Sequence, residues 1–174
     1  MKKLFRNFVH VLLGTKQFRN KHIKNFAKRI KNKKILEIGS GKKNNGKCKY
    51  SVKDLFDRSN EFIQSDIVPE FGYNVIDVTK MDYNNEFDVI ICKTVLEHVY
   101  DVNKAVENMY NALKKGGVLM IIVPFLYPLH DEPNDYWRFT EYSLRKLLKK
   151  FEKIEINYSG TRKIPFTYYV EAIK

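Results

Sequence analysis

Apolar residues fall into two rhythms along this chain. Short runs at "KKILEIGSG", "FIQSD", "NVIDV", "FDVIIC", "VLMIIVPF", "IEINY" and "YYVEAI" read as seven strands. Several are apolar on successive rather than alternate positions, as strands are when helices cover both faces of a parallel sheet. Between these runs the period lengthens. Within residues 102–115, Val102, Ala105, Val106, Met109, Ala112 and Leu113 follow helical spacing, with Asp101 placed to cap the start and Gly116 the end. After Thr140, Leu144, Leu147, Leu148 and Phe151 repeat the pattern over residues 141–151. Strand and helix therefore alternate, which predicts a doubly wound α/β, Rossmann-like sheet. The last two strands are separated only by "SGTRKIPF", too short for a crossover helix, and should pair antiparallel.

In such a sheet ligands bind beyond the carboxyl ends of the strands, near the point where the winding reverses. The turn "EIGSG" follows the first strand, and Gly39 and Gly41 let the backbone approach a ligand that a side chain would obstruct. A dinucleotide fingerprint would place a third glycine where Asn44 stands, and "GKKNNGK" is a poor helix start for holding a pyrophosphate. NAD is disfavoured on that ground. The acid before the turn, Glu37, suits a ligand bearing ammonium or sulfonium charge. Asp66 ends the second strand, 25 residues after Gly41, where a carboxylate can accept both protons of a ribose diol. Asp77 ends the third, placed to accept from an exocyclic amine, with the next backbone amide in reach of an adenine nitrogen.

The ordered set "LEIGSG", "SD", "IDV", "FDVIICKTVLEHV" and "ALKKGGVLMIIVP" resembles the class I S-adenosylmethionine-dependent methyltransferases, from about Lys34 to Lys174. The resemblance implies a seven-stranded sheet with an antiparallel last strand and S-adenosylmethionine as cofactor. It implies that Glu37, Gly39 and Gly41 line the methionine end, that Asp66 holds the ribose, and that Asp77 and Val78 frame the adenine. One departure is the Lys- and Asn-rich segment from Lys42 to Lys49, which would delay the first crossover helix to about Ser51.

The cofactor brings the reactivity in such a transfer, and the protein aligns the acceptor and supplies a base where the acceptor is a hydroxyl. Two loops border that end. "TVLEHVYD" offers Glu97 as a substrate contact and His98 as a candidate base. "LHDEPNDYWRFT" offers His130 as a second candidate base, with Asp131 and Tyr136 pointing into the site and Trp137, Arg138 and Thr140 shaping the loop. "PFLYPLHDEPNDYWRFT" also looks like a signature of a bacterial methyltransferase subgroup associated with surface-glycan biosynthesis. The expected acceptor is accordingly a small molecule or a glycan, including a lipid-linked sugar, methylated at oxygen.

Charge adds one feature. The chain's formal net charge is +12, and residues 1–34 hold 12 Lys or Arg and no acid, leaving 20 basic and 20 acidic residues in the rest. We therefore expect a basic helical extension over residues 1–33 before a single domain over residues 34–174. The extension suits phosphates, nucleic acid or an anionic membrane surface. "LFRNFVHVLLG" is interrupted by Arg6, Asn7 and His10, with no small-residue cleavage site following, so no secretory leader or membrane span is expected and a cytoplasmic, optionally membrane-peripheral, location is. Cys48 and Cys92 lack disulfide-framework or metal-ligand spacing, and no metal is expected. Other readings stand beside the first: an RNA methyltransferase gripping phosphates through its leader, a silent S-adenosylmethionine-binding partner subunit and, furthest, a nucleotide-linked oxidoreductase. The sequence does not fix the oligomeric state.

Overall fold

The computed structural model describes the backbone of residues 2–44, 47–48 and 50–174, and the side chains of residues 14–42 and 50–174. All seven strand runs become strands of one sheet: β1 (Lys34–Ile38), β2 (Glu61–Asp66), β3 (Asn74–Val75), β4 (Phe87–Lys93), β5 (Leu113–Pro124), β6 (Lys153–Gly160) and β7 (Pro165–Ile173). Their order is β3-β2-β1-β4-β5-β7-β6. The first five run parallel, and β7 lies antiparallel between β5 and β6. The winding reverses between β1 and β4, which opens a crevice at their carboxyl ends.

The consecutive apolar runs are explained by what covers each face. Leu36, Ile38, Ile90, Cys92, Leu119, Ile121 and Val123 point one way, into a core shared with helices α2 (Val102–Ala112) and α3 (Glu141–Leu147). Their neighbours Ile35, Val89, Ile91, Met120 and Ile122 point the other way. The cover on that second face is not a crossover helix. The helix expected near Ser51 is only a 3-10 turn, Lys53–Leu55, and the β2–β3 connection holds only another, Pro69–Phe71. Helix α1 (Lys2–Arg29) lies there instead, with Ile23, Phe26 and Ala27 at helical spacing packed on Ile35, Ile91, Met120 and Tyr169. The basic segment thus buries an apolar stripe in the core, while Lys16, Lys21, Lys24, Lys28 and Arg29 stay exposed. Arg29 ties it to β7 through both carboxylate oxygens of Glu171, at 2.7 and 2.9 Å.

Asp101 caps α2 as expected, accepting from the Lys104 amide at 3.0 Å. Gly116 does not close that helix. The helix stops at Ala112, and Gly116, at φ +73°, sits within the long β5, donating its amide to the Lys174 carbonyl. Among the described residues, no helix is long and apolar enough to cross a membrane.

Candidate functional site

The glycine turn is fastened to β2. The amides of Gly39 and Ser40 both donate to the Ser65 carbonyl, at 3.0 and 2.9 Å. Gly39 and Gly41 adopt φ of +76° and +72°, and a Cβ added to them would collide with Val95 and Tyr50 respectively. Glycine is required at both positions. Glu37, 1% exposed, accepts from the Ser40 hydroxyl and the Val52 amide, each at 2.7 Å, and is also bonded by Ser51. Burial raises its pKa, against the pull of those donors and of Lys93. Its oxygens are therefore turned onto the loop that returns to β2, and hold the turn in shape.

Asp66 ends β2, while Asp77 does not end a strand as expected but lies two residues beyond Val75, the last residue of β3. Asp66 accepts from the Gly41 amide at 2.8 Å and the Val68 amide at 3.2 Å. A carboxylate has about four acceptor positions, so capacity for a diol remains. Asp77 accepts from the amide and hydroxyl of Thr79, at 2.9 and 2.7 Å, and pairs with Lys80. The Thr79 hydroxyl is the first cause holding its carboxyl below the ordinary range. Val78 is buried, and its carbonyl accepts from Asn108 of α2 at 3.0 Å. Glu37, Gly39, Gly41, Asp66, Asp77 and Val78 thus lie along neighbouring strand ends β1, β2 and β3.

The loops after β4 and β5 build the other wall. Thr94 takes a left-handed φ of 52°, turning the chain into the 3-10 turn Leu96–His98. This sends Glu97 inward, 0% exposed, with neither carboxylate oxygen hydrogen-bonded among the described residues. Burial pushes its pKa up to about 8. His98 sets Nδ1 against the Asn134 carbonyl at 2.8 Å, and its ring meets that of His130 edge to face with centroids 4.8 Å apart. Asp131 is mostly exposed, with its carboxylate 3.9 Å from His98 Nε2. The two loops are stapled together: the amides of Tyr136 and Trp137 donate to the Glu97 carbonyl, and Trp137 Nε1 donates to the Val99 carbonyl at 2.9 Å.

Arg138, Trp137 and Thr140 shape this loop, as the sequence reading expects. The Arg138 guanidinium grips both oxygens of Asp135 at 2.7 Å and holds its carboxyl well below the usual range. Thr140 caps α3 in a reciprocal box with Ser143. Tyr136 stands at the rim, its hydroxyl donating to Asn134. Its ring meets Tyr100 edge to face at 5.4 Å, and Trp137 lies 6.4 Å from Tyr100, so three exposed rings crown the loops.

Two further cations reach this region that sequence reasoning missed. Lys93, the last residue of β4, is largely buried, which lowers its pKa, while Glu37 and Glu97 oppose that shift. Arg19 of α1 is likewise lowered by burial and feels Tyr127 and Glu97. Lys93 closes β4, directly before the loop that carries Glu97 and His98. Arg19 gives no local signal, since only the docking of α1 brings it here. A separate groove of about 450 Å³, lined by Lys53, Phe56, Arg58, Asn60 and Phe62 among others, lies by the amino end of β2. It belongs to the opposite edge from the strand ends that carry the site.

The family described as "Methyltransferase domain" matches residues 14–153, which include most of α1. No curated protein matches the chain. Among solved structures, a SAM-dependent methyltransferase from Archaeoglobus fulgidus is 15% identical, with all of both chains covered and a TM-score of 0.66. The N-methyltransferase NodS from Bradyrhizobium japonicum is also 15% identical, over 92% of this chain and 96% of that one, at 0.66. Phosphoethanolamine N-methyltransferase 2 from Haemonchus contortus, solved with S-adenosyl-L-methionine, is 14% identical over 90% of this chain and 52% of that one, at 0.68. At such identities the likeness is one of fold. The family match over most of the chain, on the strand order and glycine turn described above, shows that the chain belongs to the methyltransferase domain family and has the fold of the class I S-adenosylmethionine-dependent enzymes.

Proposed function

We propose that the chain transfers the methyl group of S-adenosylmethionine to a hydroxyl of a small molecule or glycan. The observation that carries this reading is that two unlike groups sit at the carboxyl ends of neighbouring parallel strands, the glycine turn with Asp66 after β1 and β2, and Glu97, His98 and His130 after β4 and β5. The residues fit the cofactor: the turn is closed to any side chain at Gly39 and Gly41, and Asp66 keeps acceptor capacity for a ribose diol. Asp77 and Val78 would border the adenine, and Glu37 would shape the methionine end from beneath. When bound, the sulfonium supplies an activated methyl group.

The chain's own residues then have three tasks. Tyr100, Tyr136 and Trp137 offer flat faces on which a sugar or other ring can rest. Glu97, Asp131 and the histidines orient the acceptor hydroxyl. His98 or His130 takes its proton as the carbon–oxygen bond forms and the carbon–sulfur electrons return to sulfur. A lipid-linked sugar suits the same rim, since Leu126 and Leu129 are exposed beside it.

The test is calorimetric titration with S-adenosylmethionine and its demethylated product, on wild type and Asp66→Ala, followed by labelled methyl transfer to a panel of hydroxylated acceptors. Binding of both nucleosides, weakened in the variant by about 1–3 kcal/mol for hydrogen bonds lost to a charged group, with transfer to a sugar or small alcohol, is the expected result. Binding without transfer to any acceptor favours a silent partner subunit. Transfer to RNA that fades steeply with salt favours the nucleic-acid alternative.

A further inference from the structure

The groups at the acceptor wall form a set that no hydrogen bond completes. Glu97 brings two buried oxygens without a donor among the described residues. His98 directs Nδ1 at the Asn134 carbonyl, so that nitrogen carries the proton and Nε2 presents a lone pair. Nε2 in turn looks toward the Asp131 carboxylate at 3.9 Å, two electron-pair donors that repel unless positive charge lies between them. His130 repeats the arrangement. Its Nδ1 is 3.2 Å from both the Pro128 carbonyl and Asp135 Oδ2, and Asp135 is itself clamped by Arg138. Each imidazole is thus oriented through one nitrogen by a carbonyl or carboxylate, leaving the other without a hydrogen bond among the described residues, which is how proteins prepare histidines as metal ligands.

One donor atom from each of Glu97, His98 and His130 lies within 4.8 Å of the other two. Ligand atoms about 2.0–2.2 Å from a zinc-class ion sit about 3.4 Å apart, so side-chain rotations of roughly 1 Å close the set. We infer that Glu97, His98 and His130 bind one divalent transition metal ion through two imidazole nitrogens and one carboxylate. Mixed nitrogen and oxygen donors in this number select zinc, cobalt or iron(II) over calcium or magnesium, and three protein ligands leave a coordination position open. The inference deepens the proposed function and rests on it for one point only, that the open position faces the acceptor. There a metal would hold the acceptor oxygen and lower its pKa so that its proton leaves to solvent, and the two histidines would serve as ligands in place of the base role.

The experiment uses untagged full chain stripped with chelator, then dialysed against cobalt(II) or zinc(II), reading metal content and visible cobalt absorption. We expect one metal ion per chain, a cobalt spectrum of low coordination number, and displacement of cobalt by zinc. His98→Ala, His130→Ala and the isosteric Glu97→Gln should each weaken binding at least about tenfold, with circular dichroism confirming their fold. Should one variant fail to fold, the wild-type stoichiometry and the other two still decide. Wild type that takes up neither ion, or variants that bind like wild type, overturn the inference. Calorimetry with S-adenosylmethionine runs in parallel. Cofactor binding without metal uptake removes the metal site and leaves the methyltransferase reading standing, while metal uptake without cofactor binding does the reverse.

Discussion

Two buried glutamates stand on opposite walls of the crevice and differ in one respect. Glu37 has a donor for each oxygen, from Ser40 and Val52, whereas Glu97 has none for either among the described residues. Burying a carboxyl without a partner is costly, and a fold retains such a group only where something else compensates. The contrast separates a wall whose shape is finished before any ligand arrives from one whose polar groups await a partner. It also explains why Asp66 and Asp77 are already engaged by backbone or threonine donors, while His98 and His130 each keep one nitrogen that makes no hydrogen bond among the described residues.

The sharpest way to break this comparison is to make the same replacement on both walls. Glu37→Met strands the Val52 amide and the Ser40 hydroxyl and should cost about 2–4 kcal/mol of unfolding free energy. Asp135→Ala removes the partner of a half-buried guanidinium. That should cost about 2 kcal/mol, reduced from the value for a fully buried pair because Arg138 keeps some solvent contact. It should lower methyl transfer far more than cofactor affinity. Glu97→Met in metal-free protein should go the other way and stabilise by about 1–2 kcal/mol, because an unsatisfied polar group is replaced by a side chain of similar volume. If both glutamate replacements shift stability in the same direction under chemical denaturation, the two walls do not differ as described. The smallest effect is expected for Thr140→Ala, which removes the cap closing the acceptor loop and should cost about 1 kcal/mol. A melt of the variant beside wild type reads it.

What could be read from the sequence follows from how local each feature is. The seven strands show because runs such as "FDVIIC" are apolar on both parities, and the start of α2 shows because Asp101 caps within its own turn. Gly116 misled because a left-handed glycine serves a helix end and an irregular strand equally well. The missing crossover helix was not legible. Polar "KKNNGK" signals the delay, but only three-dimensional packing shows α1 filling the vacant face. Candidate site residues at or just beyond the ends of their own strands, from Glu37 to Asp77, were within reach of strand-end reasoning. The grouping of Glu97 and His98 with His130 was not, since it depends on β4 and β5 lying side by side. A search for cysteine spacing could not find it.

The docking of α1 also sets the order in which the molecule can be made. Arg29 meets Glu171 across 142 positions of chain, and Thr15 meets Ser159 across 144. As the polypeptide leaves the ribosome, the first helix emerges with its apolar stripe bare. Its seat on β7 does not exist until Pro165–Ile173 are synthesised. Contacts of such long range are formed late and slowly, and the waiting stripe is a surface that chaperones or neighbouring nascent chains can grasp.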